Sequence, residues 1–422
     1  MFDAMVLMFQ YIWFGLLICW SSSLIAGASS PIYLGIDELE KRNFAPLQGK
    51  KVGLLTHAAG VNRYGESTID VLHRQQTFKL TALFSPEHGI RSTALADQKV
   101  ANSQDAQTKL PIYSLYGKTR RPSAEALKKI DILVIDLQDI GARSYTYVSC
   151  MCYALEACIQ HHIPVIILDR PNPLGGLIVD GPMRDETWKS YVGYLPIPYV
   201  HGLTIGEIAQ MALQEGWLNL TLAERKSAQL TVIPMRGWQA DKAWDHTGLK
   251  WIPTSPNIPT LDAVFGYPMT GLGCQIGKFK HGIGTPYPFR FLSYPGKTPE
   301  QIIEALERFC IPGLSYKVCT TKGKNGNQIG VYIHIHQAEH ITDLNFYLMK
   351  LAAEWESPNN PFALASTQQA ELFNKHTAST ALWRALVTKG MNIQLKPFFK
   401  AWHKDVDLFK QKSYLYHLYS RY

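Results

Sequence analysis

Five short apolar runs recur between residues 50 and 171: KKVGLLTH (50–57), KLTALFSP (79–86), IYSLYG (112–117), DILVIDLQD (131–139) and IPVIILDRP (163–171). They are continuous rather than alternating, which is how strands covered on both faces read in a sequence. Helical patterns are predicted over 67–75, 123–129, 145–161 and 204–215. The last opens at Thr204 with Glu207 three residues on, the spacing of a capping box. Strands and helices in alternation can bury their apolar faces together only in a layered α/β arrangement, so the chain is expected to form a mostly parallel, doubly wound, Rossmann-like sheet.

That architecture says where to look for chemistry, because open α/β sheets bind ligands outside the carboxyl ends of their strands. Those ends carry Thr56-His57, Glu87-His88, Asp136 with Gln138 and Asp139, and Asp169-Arg170-Pro171-Asn172. The opposite ends, around Lys50-Lys51, Lys79 and Ile163, are chemically bland. The stretch LFSPEHGIRS (83–92) sets a carboxyl beside an imidazole in a tight turn at the mouth of a hydrophobic strand. Glu and His are the side chains most easily tuned to move protons near neutral pH.

With 422 residues, two domains are expected. Past residue 217 aromatics become frequent and Pro-rich loops occur, WIPTSPNIPT (251–260) and GTPYPFRFLSYP (284–295). Strands are predicted at 229–235, 315–320 and 328–335, with helices at 298–309, 342–356 and 398–411. The division expected is a Rossmann-like domain over 32–216 and a smaller α+β domain over 217–422. Ahead of them, residues 5–28 carry no charge and end in Ala26-Gly27-Ala28. This reads as a secretory signal peptide over 1–28, and hence an exported protein of the periplasm or exterior. An uncleaved membrane anchor is the alternative, since Asp3 stands where a Lys or Arg would be usual.

Several function classes fall away. A net charge of +8 is mild, its Lys and Arg residues are scattered, and no nucleic-acid motif accompanies them. The loop after the first strand, HAAGVNRYGES, lacks the close glycines that cradle a pyrophosphate, and no Walker sequence occurs, so no nucleotide cofactor is expected. His334 and His336 alternate on a predicted strand with Glu339 and His340 beyond, but no H-E-x-x-H supports them; they read as surface histidines, and no metal is expected. A G-x-S-x-G elbow is also missing. Cys150, Cys152 and Cys158 share one predicted helix without CxxC spacing and read as small buried hydrophobes.

Carboxyl chemistry is left. Glu87, Asp136, Asp139 and Asp169 come from neighbouring strand ends, with Arg143 and Arg170 nearby to orient anions. Glycoside hydrolysis needs a carboxylic acid with a raised pKa and often a second carboxylate across the bond. Aromatics such as Trp251 and Tyr267 could stack on sugar rings.

The ordered stretches GLLTHAAGVNRYGESTIDVL, LFSPEHGIR, LPIYSLYGKTRRPSAEAL, DILVIDLQDIGARSYTYVS, VIILDRPNPLGG, IPYVHGLTIGE and SPNIPTLDA together resemble the exo-β-N-acetylmuramidase family of the NamZ type. The resemblance covers nearly all of the chain past the signal sequence. It implies a Rossmann-like domain, a smaller second domain and a cleft between them. The implied activity is release of N-acetylmuramic acid from the non-reducing end of peptidoglycan-derived oligosaccharides or disaccharides. The family's Pro-Glu-His-Gly glutamate falls on Glu87, the implied catalytic acid, with Asp136 and Asp139 as the other catalytic candidates. The expected substrate-binding set is His57, His88, Gln138, Arg143, Asp169, Arg170, Asn172, His201, Asn257 and His281.

One stretch departs from the family pattern. Where such proteins usually carry Leu-Glu-Gly-Thr-Asn and then Ser-Glu-Gly-Arg-Gly-Thr, this chain reads YPMTGLGCQIGKFKHGIGT, with Cys274-Gln275 near the first glutamate and His281 at the second. Three readings therefore stand: a muramidase, a sugar-binding protein or pseudoenzyme with the same cleft, and an enzyme whose basic loop reads an anionic ligand. The oligomeric state is left open.

Overall fold

Each of the five apolar runs becomes a strand, because a continuous apolar segment can satisfy its backbone and bury both faces only between two neighbours. The computed structural model describes residues 31–323, 326–337 and 339–421. Those from Ile32 onward cluster as one compact unit. The predicted signal sequence and its Ala28 site lie outside the described residues.

The main sheet has seven strands: β1 (Lys51–Thr56), β2 (Lys79–Ser85), β3 (Ser103–Gln104), β4 (Pro111–Ser114), β5 (Ile132–Asp136), β6 (Val165–Leu168) and β7 (Leu230–Ile233), in the order β3-β4-β2-β1-β5-β6-β7. All pairings are parallel except that of the two-residue edge strand β3 with β4. Counting only the parallel strands, the order is 3-2-1-4-5-6, the doubly wound arrangement of dinucleotide-binding folds. The order reverses between β1 and β5, whose last residues, Thr56 and Asp136, are in register. A crevice for a ligand is expected at that switch point.

The sixth parallel strand, β7, lies beyond residue 216, so the sheet draws on chain past the domain boundary expected there. Val165 to Leu168 of β6 pair with Leu230 to Ile233. Along β1, Val52 and Leu54 face one apolar layer and Leu55 the other.

A second, antiparallel sheet holds β8 (Phe291–Leu292), β9 (Leu314–Gly323) and β10 (Gly326–Ile335), in the order β8-β10-β9. Helix Pro299–Glu307 packs on β9 and β10, and helices Asp343–Trp355, Thr367–Thr377, Thr380–Lys389 and Lys396–Ser413 follow in the chain. The last buries Phe399, Trp402, Val406 and Phe409, a stripe at helical spacing. The capping box at Thr204 forms as its spacing predicts: Thr204 Oγ1 accepts from the Glu207 N–H and the Glu207 carboxylate accepts from the Thr204 N–H. No helix among the described residues is long and apolar enough to cross a membrane.

Candidate active site

The polar strand ends meet at the switch point, and His57 is the hub. Its Nε2 accepts the Gln138 backbone N–H at 3.0 Å, so the ring proton sits on Nδ1, 3.3 Å from Ser92 Oγ. Burial, reinforced by Arg170 and His88 nearby, holds this imidazole well below the usual histidine range. A neutral, buried ring with both nitrogens engaged ties the loops after β1, β2 and β5 together. Its edge also meets the Tyr147 ring, 4.8 Å away.

On one side of His57 lies Glu87, which is 6% exposed. Oε1 accepts the Asp97 N–H at 3.1 Å and Oε2 accepts the Thr146 hydroxyl at 2.6 Å. Thr146 precedes helix Tyr147–Gln160, so the carboxylate lies near that helix's positive end. His88 takes a left-handed backbone (φ 69°), as does Gly89 (φ 76°). His88 Nδ1 donates to the Ala94 carbonyl at 2.7 Å while the Ala94 N–H returns to the His88 carbonyl. His88 thus holds the loop that covers Glu87, and its strained backbone is of the kind that persists where the surroundings over-determine it.

On the other side are Gln138 and Asp139. Gln138 Nε2 donates to the Asp139 and Pro171 carbonyls. Asp139 Oδ2 accepts from the Gly141 N–H at 2.7 Å and faces His201 Nε2 at 3.3 Å. His201 Nδ1 accepts the Leu203 N–H, which leaves the proton on Nε2 for Asp139. Gln138 Oε1 and Asp139 Oδ1 are buried and have no partner among the described residues. Native proteins seldom leave buried acceptors unmatched. Gln138 also lines a cavity of about 210 Å³ with Arg63, Arg170, Trp244 and Trp251. There Arg63 Nη1 is a buried donor without a partner, its guanidinium lying over the Tyr33 ring at 4.4 Å.

Tyr267 shows that the two carboxylates share surroundings. Burial pushes its hydroxyl up to about 12, and the charges of Glu87 and Asp139 both act in that direction. Ser144 Oγ holds the Tyr267 and Tyr199 hydroxyls, each at 3.0 Å.

Other expected site residues belong to the frame. Asp136 is fully buried and saturated: Arg170 Nε and Nη2 approach at 2.5 and 2.9 Å, and the Thr68 hydroxyl at 2.5 Å. Arg170 Nη2 also donates to the Val61 carbonyl. Asp169 accepts from Thr204 Oγ1, the Gly206 N–H and the Tyr419 hydroxyl, and burial, with Glu207 nearby, raises it to about 7. Asn172 clamps its own loop through the Leu203 carbonyl and the Leu174 N–H. Arg143 spends Nη1 on the Pro182 and Ile197 carbonyls and Nη2 on those of His376 and Thr377, and burial brings it down to about 9. Contact with substrate is the sequence expectation for Asp169, Asn172 and Arg143; the hydrogen bonds they make here go to other groups of the protein, while Arg143 Nε is buried without a partner among the described residues.

Asn257 is half-buried in its loop, and its side chain makes no hydrogen bond among the described residues. His281 lies one ring away from the centre: it meets Phe289 edge-on at 4.8 Å, and Phe289 meets Tyr267 at 5.0 Å. Burial lowers His281 to about 4, and its Nδ1 has no partner. Lys278 of the same loop is tied to Glu356 at 2.6 Å.

Thr146, Ser144 and His376 also lie around the two carboxylates without being expected there, whereas Tyr267 is expected only as an aromatic that could stack on a sugar. His376, from helix Thr367–Thr377, lies in the field of both Asp97 and Glu87, with Nδ1 bonded to the Leu372 carbonyl. The run SYTY (144–147) is a detectable signal, since four successive side chains all reach the site or its walls. Nothing local marks His376.

The fold is that of a doubly wound α/β protein whose polar strand ends, Glu87 and Asp139 among them, gather around its topological switch point. The chain belongs to the exo-β-N-acetylmuramidase NamZ family: the model of that family's N-terminal region matches residues 52–262 and that of its C-terminal region matches 265–419. The peptidoglycan β-N-acetylmuramidase NamZ of Bacillus subtilis (strain 168) is 41% identical over 291 residues, which is 68% of each chain. A DUF1343 family protein from Bacteroides fragilis, solved at 1.65 Å, superposes with a TM-score of 0.83 at 35% identity, covering 92% of this chain and 99% of its own. A second from the same organism, at 28% identity, gives 0.69 and covers 93% and 100%.

Proposed function

We propose that the protein is an exo-acting glycosidase that releases N-acetylmuramic acid from the non-reducing end of peptidoglycan fragments, with Glu87 as proton donor and Asp139 as the second carboxylate. The observation that carries this reading is the pair of unmatched buried acceptors, Gln138 Oε1 and Asp139 Oδ1, beside a covered carboxyl. Sugar hydroxyls are the donors such a pair calls for. Trp244 and Trp251, packed edge to face at 5.1 Å, supply apolar wall to the adjoining cavity. Arg63 Nη1 suits the lactyl carboxylate by which muramic acid differs from glucosamine. Membership of the NamZ family points the same way.

Release of free N-acetylmuramic acid from a defined muramyl-glucosaminyl disaccharide, followed by chromatography, tests the proposal. Saturable binding of the disaccharide without turnover would overturn it in favour of a sugar-binding protein. Such a result would trace to the Cys274–Ile283 stretch.

The uncharged run over 5–28 supports export to the envelope. Mass spectrometry of the protein from an envelope fraction should find an N-terminus after Ala28. An intact Met1 would favour an anchor instead.

A further inference from the structure

We propose that Asp180, His340 and His403 form a transition-metal site, suited to Zn²⁺, that clips the C-terminal helix Lys396–Ser413 to the framework behind the active site. The three come from distant parts of the chain, yet their donor atoms all lie within 4.8 Å of one another.

The carboxylate is fixed before any ion arrives. Asp180 is 2% exposed and exchanges backbone hydrogen bonds with Val200 in both directions. Its Oδ2 accepts both the N–H and the hydroxyl of Thr342 at 2.8 Å. Oδ1 is thereby turned to His340 Nδ1, 3.7 Å away. That separation is long for a hydrogen bond. It is close to the ~3.3 Å between neighbouring ligands around a tetrahedral ion with bonds of about 2.0–2.2 Å.

The imidazole rings of His340 and His403 lie face to face, 4.1 Å between centroids and 22° apart. Asp343, in the first turn of helix Asp343–Trp355, adds a second carboxylate in electrostatic contact with Asp180 and His340. A divalent cation held by Asp180 Oδ1 and by one ring nitrogen of each imidazole would gather the three donors, with the two partly exposed rings turning out of their stack to aim their in-plane lone pairs at it. Imidazole with carboxylate selects zinc and its neighbours over Mg²⁺ or Ca²⁺. The His340 side chain is 43% exposed, so an ion can enter from solvent and keep a water.

Sequence grouping concealed the cluster. His334 in β10 and His336 just beyond it carry roughly parallel rings 6.4 Å apart, and His336 bonds Ser315, while His340 groups instead with Asp180 and His403. Val200 adjoins His201, the partner of Asp139, so the clip braces the wall of the active site.

The test uses the full chain, stripped with chelator and desalted, then titrated with Zn²⁺ alone. One equivalent should bind and raise the unfolding temperature by roughly 4 °C at a hundredfold excess over Kd. His403→Gln and His340→Gln should each weaken binding by about tenfold to a hundredfold or more, whereas His334→Gln and His336→Gln should leave it unchanged. Absence of a stoichiometric equivalent at micromolar Zn²⁺ would overturn the proposal, as would equal retention of zinc by the His403 and His340 variants.

Discussion

Thr146 Oγ1 donates a 2.6 Å hydrogen bond to Glu87 Oε2, joining the residue before a helix to the second residue after a strand across 59 positions of chain. The bond orients the carboxyl at the end of β2 and leaves Oε1 to the Asp97 N–H. A hydrogen bond of this kind contributes about 0.5–1.5 kcal/mol, which helps to hold the carboxyl group in one rotamer.

Glu87→Gln keeps both acceptor and shape but cannot give up a proton. Turnover of the natural disaccharide should fall by about 10² to 10⁴, with ligand affinity retained in equilibrium binding. A nitrophenyl glycoside needs less help in departing, so its loss should be smaller. Equal and modest losses on both substrates would move the donor role elsewhere.

Asp136 and Asp139 are separable because one is saturated and the other is not. Asp139→Asn should lower kcat by about two orders of magnitude or more with little change in unfolding temperature. Asp136 is held by Arg170, and Arg170→Met would leave a buried carboxylate unpaired. We expect a destabilisation of about 3–5 kcal/mol in urea denaturation. A stable Arg170→Met variant would contradict a framing role for the pair.

Arg63→Met tests the reading of the acidic sugar. Loss of a charge-assisted bond should reduce kcat/KM for a muramyl substrate by roughly 10- to 100-fold. Any slow turnover of the corresponding glucosaminide, which lacks the carboxylate, should change little. Parallel losses on both substrates would assign Arg63 a merely structural part.

Asp169 gives the protein a pH-dependent stability of defined sign. Its folded value of about 7 lies above the ordinary 3.8, so the folded chain keeps a proton that the unfolded chain releases. Its favourable contribution is full below about pH 4 and is lost as pH rises towards 7. Asparagine copies the protonated carboxyl, so Asp169→Asn should be matched with wild type near pH 4 and relatively more stable near pH 8. The gain should be of the order of 1–4 kcal/mol. Denaturation curves at the two pH values decide it.

Much of the first sheet was legible because continuous apolar runs and polar strand ends are local signals. The switch point between His57 and Gln138 follows from them once strand order is known. The placement of β7 was not legible: LTVI is one more short apolar run, and only the pairing of Leu168 with Ile233 shows which sheet it completes. At the site, residue type was readable and partner was not. Arg143, Asp169 and Asn172 look like ligand-binding residues, yet their bonds run to carbonyls, hydroxyls and N–H groups brought in by other loops. His376 was hidden for the converse reason, since the charges it faces, Asp97, Arg143 and Glu87, belong to residues far away in sequence.

The bond from the Tyr419 hydroxyl to Asp169 spans 250 residues. Arg421 makes a similar closure to Glu207. During synthesis, β7, whose last residue Ile233 pairs with Leu168, is complete long before this tail leaves the ribosome. Asp169 therefore lacks one of its hydrogen-bond donors until Tyr419 arrives. The order of translation thus makes late residues the latch on an early core, and a nascent chain stalled near position 410 should still be open to protease where the finished protein is closed.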